Sequence, residues 1–414
     1  MSQPNILDLI KDMPVEWKAL GEVGEFIRGN GLQKKDFVEV GFPAIHYGQI
    51  YTRYSLSADK TFTYVSEELA KKLRKANKND LLLATTSEND EDVVKPLAWL
   101  GEQAAISGDM MLFRHQQNVK YLAYFFQTGA FQVQKGKYIT GAKVRRVSSS
   151  DLAKIIIPIP YPDNPKKSLE IQTKVVRILD SFTELTSELT SELTSELNAR
   201  KKQYNYYRDQ LLNFEDGQAQ WKTLSEIAEY SKTRISFTEL DEDNYVGVDN
   251  LLQNKSGKTE STRVPASGNS TKYCENDILI GNIRPYLKKI WQADCIGGTN
   301  GDVLVVRLID ETVNPRYLYQ VLADDKFFDY NMQHAKGAKM PRGDKAKIME
   351  YSLPIPSLAE QARIVAILDK FDTLTTSLSE GLPREIQLRQ QQYEYYRDLL
   401  LSFPRPEATA AVNT

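Results

Sequence analysis

The sequence predicts an α+β protein built from two similar halves, each a mixed domain followed by a long helical segment. The 414-residue chain repeats its own motifs in a constant order. Apolar residues recur at helical spacing after each set of motifs, and short apolar runs of strand length alternate with helical patterns elsewhere. The layout is therefore A-B-A′-B′, and we expect the two halves to fold alike and to be related by an approximate two-fold axis.

The internal repeat extends over most of the chain. Residues 17–23 match residues 221–227, and both stretches begin with Trp-Lys. Residues 141–160 match residues 337–356 without a gap and end in Ile-Pro-Ile-Pro and Leu-Pro-Ile-Pro. Two further matches pair 171–182 with 360–371, and the tyrosine box 204–209 with the box 393–398. A register of this length predicts two similar surfaces at a fixed separation.

The A parts predict a mixed or mostly antiparallel sheet with accompanying helices. Short apolar runs bounded by polar residues are typical of buried strands. They lie at 80–84, 110–113 and 155–157 in the first half, and at 277–280 and 303–306 in the second. Helical patterns cover 119–131 and 315–328. Together these elements favour an α+β domain in each half.

The first B part predicts one helix over residues 168–214, which contain no proline or glycine. A helix of about 45 residues would reach roughly 65–70 Å. Within it, the tetrapeptide Thr-Ser-Glu-Leu occurs three times in tandem over residues 186–197. Each copy adds ~6 Å of helix, a little under two base steps of ~3.4 Å. The number of copies would therefore set the length of a ruler between two sites.

The second B part predicts a helix that is interrupted. It begins with a capping box, Ser357 to Glu360, directly after two prolines. Gly381 and Pro383 lie in the middle of its pattern. Because proline lacks the amide hydrogen and glycine is a poor helix former, we expect a kink or break there.

Composition excludes several classes of protein. With 41% hydrophobic and 26% charged residues, and no run near the ~18 apolar residues that cross a bilayer, the chain is expected to be cytoplasmic and not membrane-bound. Two cysteines and three widely separated histidines are too few for a disulfide framework, a metal centre or a histidine-based catalytic site.

Three enzyme-like motifs are incomplete. Gly257-Lys258-Thr259 resembles the end of a phosphate-binding loop, but Leu252 occupies the position of the first glycine. Residues 162–172 hint at a nuclease carboxylate cluster but have Gln172 in place of the lysine. Residues 314–317 lack the second proline of an amino-methyltransferase motif. We therefore predict no catalytic and no metal-binding residues in this chain.

Basic residues cluster at the same place in both halves. Six lie within 132–154 against the single acid Asp151, and five lie within 332–347 against Asp344. Lysine and arginine neutralise phosphates, and arginine, asparagine and glutamine also read base edges. One such run alone is explained equally well by a solvated face. Its recurrence favours DNA binding, although a net charge of −2 provides no long-range attraction to phosphate.

Loop residues beside these runs complete the predicted DNA-binding set, although polar side chains of this kind are also commonplace in loops. The candidates are Tyr47, Gln49, Arg53, Thr85, Thr86, Lys143, Arg145, Arg146, Asn250, Asn282, Arg284, Lys336, Lys339 and Arg342.

The repeat layout, the paired proline ends, the Glu-Gln-x-x-Ile-Val-x-Ile-Leu-Asp helix start and the twin Tyr-x-Tyr-Tyr-Arg-Asp boxes resemble type I restriction-modification specificity subunits. The tandem tetrapeptides particularly resemble the type IC branch. The resemblance implies target recognition domains at 1–160 and 217–356, and conserved spacer helices at 161–216 and 357–414 that pack antiparallel. The implied spacer and partner-docking residues are Leu185, Leu189, Leu193, Leu197, Tyr204, Tyr207, Arg208, Leu374, Leu378, Tyr393, Tyr396 and Arg397.

The resemblance further implies a non-catalytic subunit whose two domains each read one half of a split site in double-stranded DNA. Two methyltransferase subunits would bind the helices and use S-adenosylmethionine, and motor-nuclease subunits would use ATP and Mg²⁺. No cofactor is expected in this chain itself. The alternative is a structural adaptor in which two similar domains bind proteins and the basic runs only add solubility.

Overall fold

The computed structural model describes residues 13–215, 217–376 and 381–403. These residues form two compact units: the first takes its residues from 1–189 and 389–414, and the second from 190–388. Each unit therefore combines one mixed domain with parts of both helical segments. The recognition-domain and spacer boundaries inferred from the sequence divide the chain differently, and they stay a prediction.

Two five-stranded sheets form the domain of the first unit. Its strands are β1 (Val15–Ala19), β2 (Gly24–Arg28), β3 (Phe37–Val38), β4 (Phe42–Ile45), β5 (Ser57–Ala58), β6 (Thr63–Val65), β7 (Lys75–Ala76), β8 (Leu81–Ala84), β9 (Thr86–Ser87), β10 (Lys95–Trp99), β11 (Ala104–Ile106), β12 (Met110–His115), β13 (Arg145–Arg146) and β14 (Ile156–Pro160). The sheet orders are β2-β12-β8-β10-β5 and β3-β6-β4-β11-β7. Pairs β5–β10 and β4–β11 are parallel, while their neighbours are antiparallel, which confirms the predicted mixed sheet.

Short helices cover these sheets and connect their strands. They are α1 (Leu20–Val23), α2 (Tyr47–Thr52), α3 (Glu67–Ala70), α4 (Val119–Phe125), α5 (Gly129–Gly136) and α6 (Ser149–Leu152). The pattern over 119–131 thus forms two helices. Thr128 separates them because its side chain accepts a hydrogen bond from the amide of Phe131 and caps α5.

The second unit has the same plan with fewer strands. They are β15 (Gln220–Thr223), β16 (Ala228–Tyr230), β17 (Arg234–Ser236), β18 (Tyr245–Val246), β19 (Asn269–Tyr273), β20 (Ile278–Gly281), β21 (Ile290–Gln292), β22 (Gly297–Thr299), β23 (Val303–Leu308) and β24 (Ser352–Ile355). Their orders are β16-β23-β20-β21, β17-β19-β22-β18 and β15-β24. The pair β15–β24 repeats β1–β14 of the first unit, so both domains close their chain ends in the same way.

The pattern predicted over 315–328 also forms two helices in the second unit. The helices of this unit are α8 (Leu224–Ile227), α9 (Pro315–Leu322), α10 (Asp325–Gln333) and α11 (Lys345–Met349). Asn314 caps α9 and Asp324 caps α10, at positions equivalent to Asn118 and Thr128. The shared caps make the helix pair a repeated feature of both units.

The long helical segments also agree with the sequence. Helix α7 (Pro165–Leu211) runs for 47 residues without interruption. The second segment is divided into α12 (Leu358–Thr376) and α13 (Gly381–Leu400). Gly381 has φ +81°, a left-handed conformation that ends regular right-handed helix, so the predicted break is confirmed.

Each core combines a domain with both helical segments. In the first unit, Ile171, Val175 and Leu179 of α7 are buried together with Leu400 and Phe403. In the second unit, Tyr204 of α7 is buried with Ile364 and Leu368 of α12. Burial of a leucine or isoleucine side chain of this kind contributes about 1.5–3 kcal/mol. The helices are therefore part of the domains' cores.

Candidate nucleic-acid interface

In each unit the predicted basic run folds into a closed seven-residue loop. Thr140 and Arg146 exchange two backbone hydrogen bonds of 2.9 Å, and Lys336 and Arg342 exchange two of 2.9 and 2.8 Å. The second residue of both loops is a glycine with positive φ, +94° and +103°. A side chain at Gly141 would lie 2.1 Å from the carbonyl oxygen of Val144, so this turn requires glycine. We call these loops the basic hairpins.

A second segment pairs with each basic hairpin, in the same register. Arg146 pairs with Thr86 and Arg145 with Ser87 in the first unit. In the second, Arg342 pairs with Ile283, the equivalent of Thr86, and the Arg284 amide donates to the Pro341 carbonyl at 2.7 Å. The structure thus brings together two groups of candidates that are distant in sequence. Each hairpin with its paired segment is called a hairpin site.

Exposed cations lie on both hairpin sites. Lys143 and Arg146 are exposed in the first, and Lys339 is exposed in the second. Two others form ion pairs at the surface: Lys336 with Asp344 at 2.7 Å and Arg342 with Asp302 at 3.0 Å. The Lys336 ammonium lowers the pKa of Asp344. Because exposed ion pairs are weak, these cations are available to exchange a carboxylate for a phosphate.

Arg145 is the most constrained of these cations. Its guanidinium is 2.8 Å from a carboxylate oxygen of Asp90 and donates to the Gly141 carbonyl at 2.5 Å. Asp90 belongs to an acidic loop, residues 88–92, while the equivalent loop of the second unit, residues 285–289, contains two lysines and no acid. The two hairpin sites therefore share a backbone but differ in charge.

Gln49 and Asn250 have structural roles at equivalent positions, which corrects their inclusion among the DNA contacts. The Gln49 side-chain oxygen accepts from the His46 amide at 2.9 Å, and the Asn250 oxygen accepts from the Gly247 amide at 2.6 Å. Both side chains are buried. Each closes the turn that follows strand β4 or β18, so its side-chain oxygen is already engaged and does not read a base in this conformation.

Thr85 and Asn282 are also buried, at equivalent places beneath the hairpins. The Thr85 hydroxyl donates to the Asp109 carbonyl at 3.1 Å. The Asn282 carbonyl accepts from the Gly343 amide at 3.2 Å and holds the hairpin in place. These two residues therefore position the loop, whereas Thr86 is partly exposed beside Arg146.

Tyr47 and Arg53 lie at the two ends of α2. Tyr47 is partly exposed beside the His46 ring, and the exposed Arg53 guanidinium lies 5.7 Å from the centre of the Phe62 ring. On the same helix, the Tyr51 hydroxyl lies 3.0 Å from the Thr86 carbonyl, and burial raises the pKa of that hydroxyl. This contact connects α2 to the first hairpin site.

Lys135 belongs to the predicted basic run but is not a surface cation. Its side chain is buried, and its ammonium donates to the carbonyls of Glu91 and Val93 at 2.8 and 2.9 Å. Burial lowers the pKa of Lys135 to about 8. The signal was available in the sequence, because Lys135 lies four residues after Phe131 on the buried face of α5.

The spacer-helix candidates divide into anchors and exposed residues. Tyr204 and Arg208 are buried anchors: the tyrosine hydroxyl contacts Asp372 and Gln320, and the guanidinium donates to the Ala323 carbonyl at 2.8 Å. In the first unit, the Tyr393 hydroxyl lies 3.0 Å from that of Thr183. Arg397 pairs with Asp398, whose carboxylate accepts from the first amide of α5 at 2.8 Å. Leu185 is exposed, Leu189, Leu193, Leu197 and Leu374 are partly buried, and Leu378 lies outside the described residues.

Each tyrosine box also presents two exposed rings. Tyr206 and Tyr207 are 62% and 40% exposed, and Tyr395 and Tyr396 have the same two values. The ring centres are 5.6 Å apart in the first pair and 5.4 Å apart in the second, both edge-to-face. The inner ring of each pair also contacts a phenylalanine of the other helical segment: Tyr207 stacks on Phe371, and Tyr396 lies tilted against Phe182. Tyr206 and Tyr395 are residues that the sequence reasoning did not single out.

Comparison with known proteins identifies the family of the repeated unit. The model of the type I restriction modification DNA specificity domain matches this chain twice, at residues 14–199 and 218–388. The chain belongs to this specificity family. It is similar to the type I restriction enzyme EcoR124I/EcoR124II specificity subunit of Escherichia coli, with 35% identity over 99% of this chain and all of that protein. A similar Haemophilus influenzae protein, a putative type I restriction enzyme specificity subunit, is 28% identical over 95% of this chain and 97% of its own length.

Solved structures of the same kind share the fold of this specificity protein. One, from work on complex assembly and conformational transition of the type I R-M system, has a TM-score of 0.63 at 15% identity and covers 95% of this chain and 100% of that one. The HsdS subunit of Thermoanaerobacter tengcongensis has a TM-score of 0.50 at 14% identity, over 94% and 95%. Two recognition units with long helices are thus the family's architecture.

Neither a membrane span nor a metal cluster is found in the part of the chain that the structure describes. No helix within residues 13–215, 217–376 and 381–403 is long and apolar enough to cross a bilayer. The same ranges contain no group of three histidine, cysteine or acidic side chains placed to hold a metal ion. The two cysteines, Cys274 and Cys295, are free and partly buried.

Proposed function

We propose that this chain is the specificity subunit of a type I restriction-modification complex and that each hairpin site reads one half of a split DNA site. The observation that supports this most is the repeated register: two distant segments pair in the same way in both units and present arginine and lysine at the surface. Arginine pairs bidentately with guanine, and lysine neutralises phosphate. The adaptor alternative gives no reason for this repetition of exposed cations.

In this proposal the chain recognises DNA and its partners carry out the chemistry. Methyltransferase subunits flip a target adenine out of the duplex and methylate it with S-adenosylmethionine. Motor-nuclease subunits use ATP and Mg²⁺ to translocate and cut unmodified DNA. The partners also add positive charge around the DNA, which accounts for a specificity chain with a net charge of −2.

The exposed tyrosine pairs are the docking points for two methyltransferase subunits. Burying an exposed tyrosine at an interface gains apolar contact area and keeps a hydroxyl for hydrogen bonding. Tyr206 and Tyr395 make no contribution to the cores of their own units, yet their exposure is the same in both copies. A pair of identical surfaces on repeated helices is suited to two copies of one partner.

The first test is methylation mapping in cells that express this chain with its methyltransferase, before and after deletion of residues 190–193. The deletion removes one Thr-Ser-Glu-Leu copy and shortens α7 by ~6 Å. We expect adenine methylation at a split motif, and unchanged half-sites with a shorter spacer after the deletion.

An active methyltransferase that produces no motif-specific methylation would rule out the specificity role and leave the adaptor. If methylation is retained and the spacer is unchanged, the length of α7 does not set the spacer, but the specificity role remains. A replacement of residues 190–193 by four alanines is the matched control, because it keeps the helix length and should keep the spacer.

A further inference from the structure

A cavity in the first unit lies next to helix α2, apart from the basic hairpin. Its volume is about 310 Å³. It is lined by Lys34, Phe37, His46, Gly48, Gln49, Thr52, Arg53 and Thr63. None of these residues is needed to close the hairpin, and no part of the proposed reading of bases uses the cavity.

The charged groups of the cavity are two cations. Neither Lys34 nor Arg53 forms an ion pair within residues 13–215, 217–376 and 381–403. Lys34 is exposed. Burial lowers the pKa of His46, and the charge of Lys34 adds to this effect, against a smaller opposite effect of Asp109. A neutral imidazole beside two unpaired cations leaves the cavity positively charged at neutral pH.

The remaining lining is apolar or already hydrogen-bonded within the domain. Phe37 offers an aromatic face, whereas the hydroxyls of Thr52 and Thr63 donate to the carbonyls of Gly48 and Ala44 at 3.0 and 2.8 Å. Just outside, the exposed ring of Phe62 lies under the Arg53 guanidinium at 5.7 Å. Cations interleaved with aromatic rings are typical of surfaces that follow a nucleic-acid backbone.

Helix α2 connects this cavity to the first hairpin site. Tyr51, on the face opposite the cavity lining, donates towards the carbonyls of Ala84 and Thr86 at 3.1 and 3.0 Å. Thr86 in turn pairs with Arg146 of the basic hairpin. Helix α2 therefore contacts the first hairpin site through one face and lines the cavity with the other.

The second unit does not repeat this charge arrangement. The turn closed by Asn250 is equivalent to the one closed by Gln49, which places Asp249 where the first unit has Gly48. A carboxylate in this position repels an anion. The positive charge beside this turn is therefore a property of the first unit, not of the shared hairpin register.

We propose that the α2 cavity binds one sugar–phosphate unit of the DNA backbone, with its phosphate between Lys34 and Arg53. This inference rests on the proposed DNA-reading function and adds a contact outside the base-reading loops. The phosphate contact positions the first unit along the DNA strand and carries no sequence information of its own.

The test uses the assembled complex of this chain with its methyltransferase subunits and a duplex that contains the mapped site. Affinity is measured by fluorescence anisotropy over a series of salt concentrations. Each lost phosphate contact should lower the slope of log affinity against log salt by about 0.9. We expect the double variant Lys34→Gln/Arg53→Gln to lower this slope by about 1 and to weaken binding without changing the preferred sequence.

Two further variants separate a cavity from a general charge effect. Gly48→Leu fills the cavity without removing charge, and a side chain there has room, since its nearest neighbour would be the His46 ring at 3.5 Å. It should weaken binding to the same duplex. Lys35→Gln removes the neighbouring exposed lysine, which does not line the cavity, and should leave the slope unchanged.

The outcomes are distinct. If the unmodified complex binds its site but the double variant keeps the slope of Lys35→Gln, the cavity inference is wrong and the hairpin function stands. If Lys35→Gln and the double variant lower the salt slope equally, the cavity inference is also wrong, because the effect then comes from general surface charge. An unmodified complex without site-specific binding contradicts the proposed function itself. Each variant should keep its thermal unfolding temperature and its number of bound methyltransferase subunits, which excludes misfolding as the cause of a change.

Discussion

At the scale of single residues, Gly343 shows how tightly the second hairpin is held. A side chain at this position would lie 2.3 Å from the Oδ1 of Asn331 and 2.7 Å from that of Asn282. Both asparagines are buried beneath the hairpin, so they have little room to move. Gly343→Ala should therefore destabilise the second unit by about 1–3 kcal/mol and lower the hydrogen-exchange protection of residues 336–342.

The matched control is Gly301→Ala, since a side chain there meets nothing within 4 Å and its φ is not positive. That variant should keep both its thermal unfolding temperature and its protection pattern. Equal protection of the hairpin in both variants would show that the buried asparagines adjust freely and that the packing argument is incorrect.

At the scale of elements, the tyrosine boxes combine an inner anchor with an outer surface. Tyr204 and Tyr393 bind their own units through hydrogen bonds, while Tyr206 and Tyr395 are exposed. We expect Tyr206→Ala or Tyr395→Ala to weaken the binding of one methyltransferase subunit by about tenfold or more, the range of a central interface tyrosine. Analytical ultracentrifugation or native mass spectrometry would count the bound copies.

Leu169→Ala is the control for this experiment, because Leu169 is another exposed apolar residue of α7 and lies outside the tyrosine box. It should bind two copies normally. Two retained copies in the Tyr206→Ala/Tyr395→Ala double variant would place the docking surface elsewhere on the chain.

At the scale of the whole molecule, two hairpin sites with the same backbone and different charge imply that the half-sites are read independently. Arg146 and Arg342 occupy equivalent positions. Arg146→Ala should relax sequence preference in one half-site and Arg342→Ala in the other, each at a cost of about 1–3 kcal/mol if the side chain reads a base. Methylation mapping of both variants would show which half of the motif changes.

A uniform loss of methylation at every sequence, with both half-sites intact, would instead identify these arginines as phosphate contacts. Lys143→Gln and Lys339→Gln provide the comparison, since both lysines are exposed on the same loops and should act on phosphate alone. Variants of either unit that alter both half-sites would contradict independent reading.

The architecture was predictable from the sequence because it depends on periodicity and repetition. A 47-residue helix whose residues after Pro165 include no proline or glycine, the break at Gly381 and the strands around Leu81–Ala84 and Ile278–Gly281 all follow from local patterns. The internal repeat made the two halves comparable, so a feature in one half predicted the same feature in the other.

The candidate site was only partly predictable, because burial depends on contacts between residues far apart in sequence. Lys135 and Arg146 are both basic residues of one run. Helical spacing indicates a buried face for Lys135, but its partners, the carbonyls of Glu91 and Val93, are more than 40 residues away in sequence, while Arg146 is exposed. Gln49 and Asn250 have the composition of base-reading residues, but they cap turns because the amides of residues 46 and 247 need an acceptor. The sequence by itself determined the repeated elements and their order; the packing between them determined which polar side chains remain free to meet DNA.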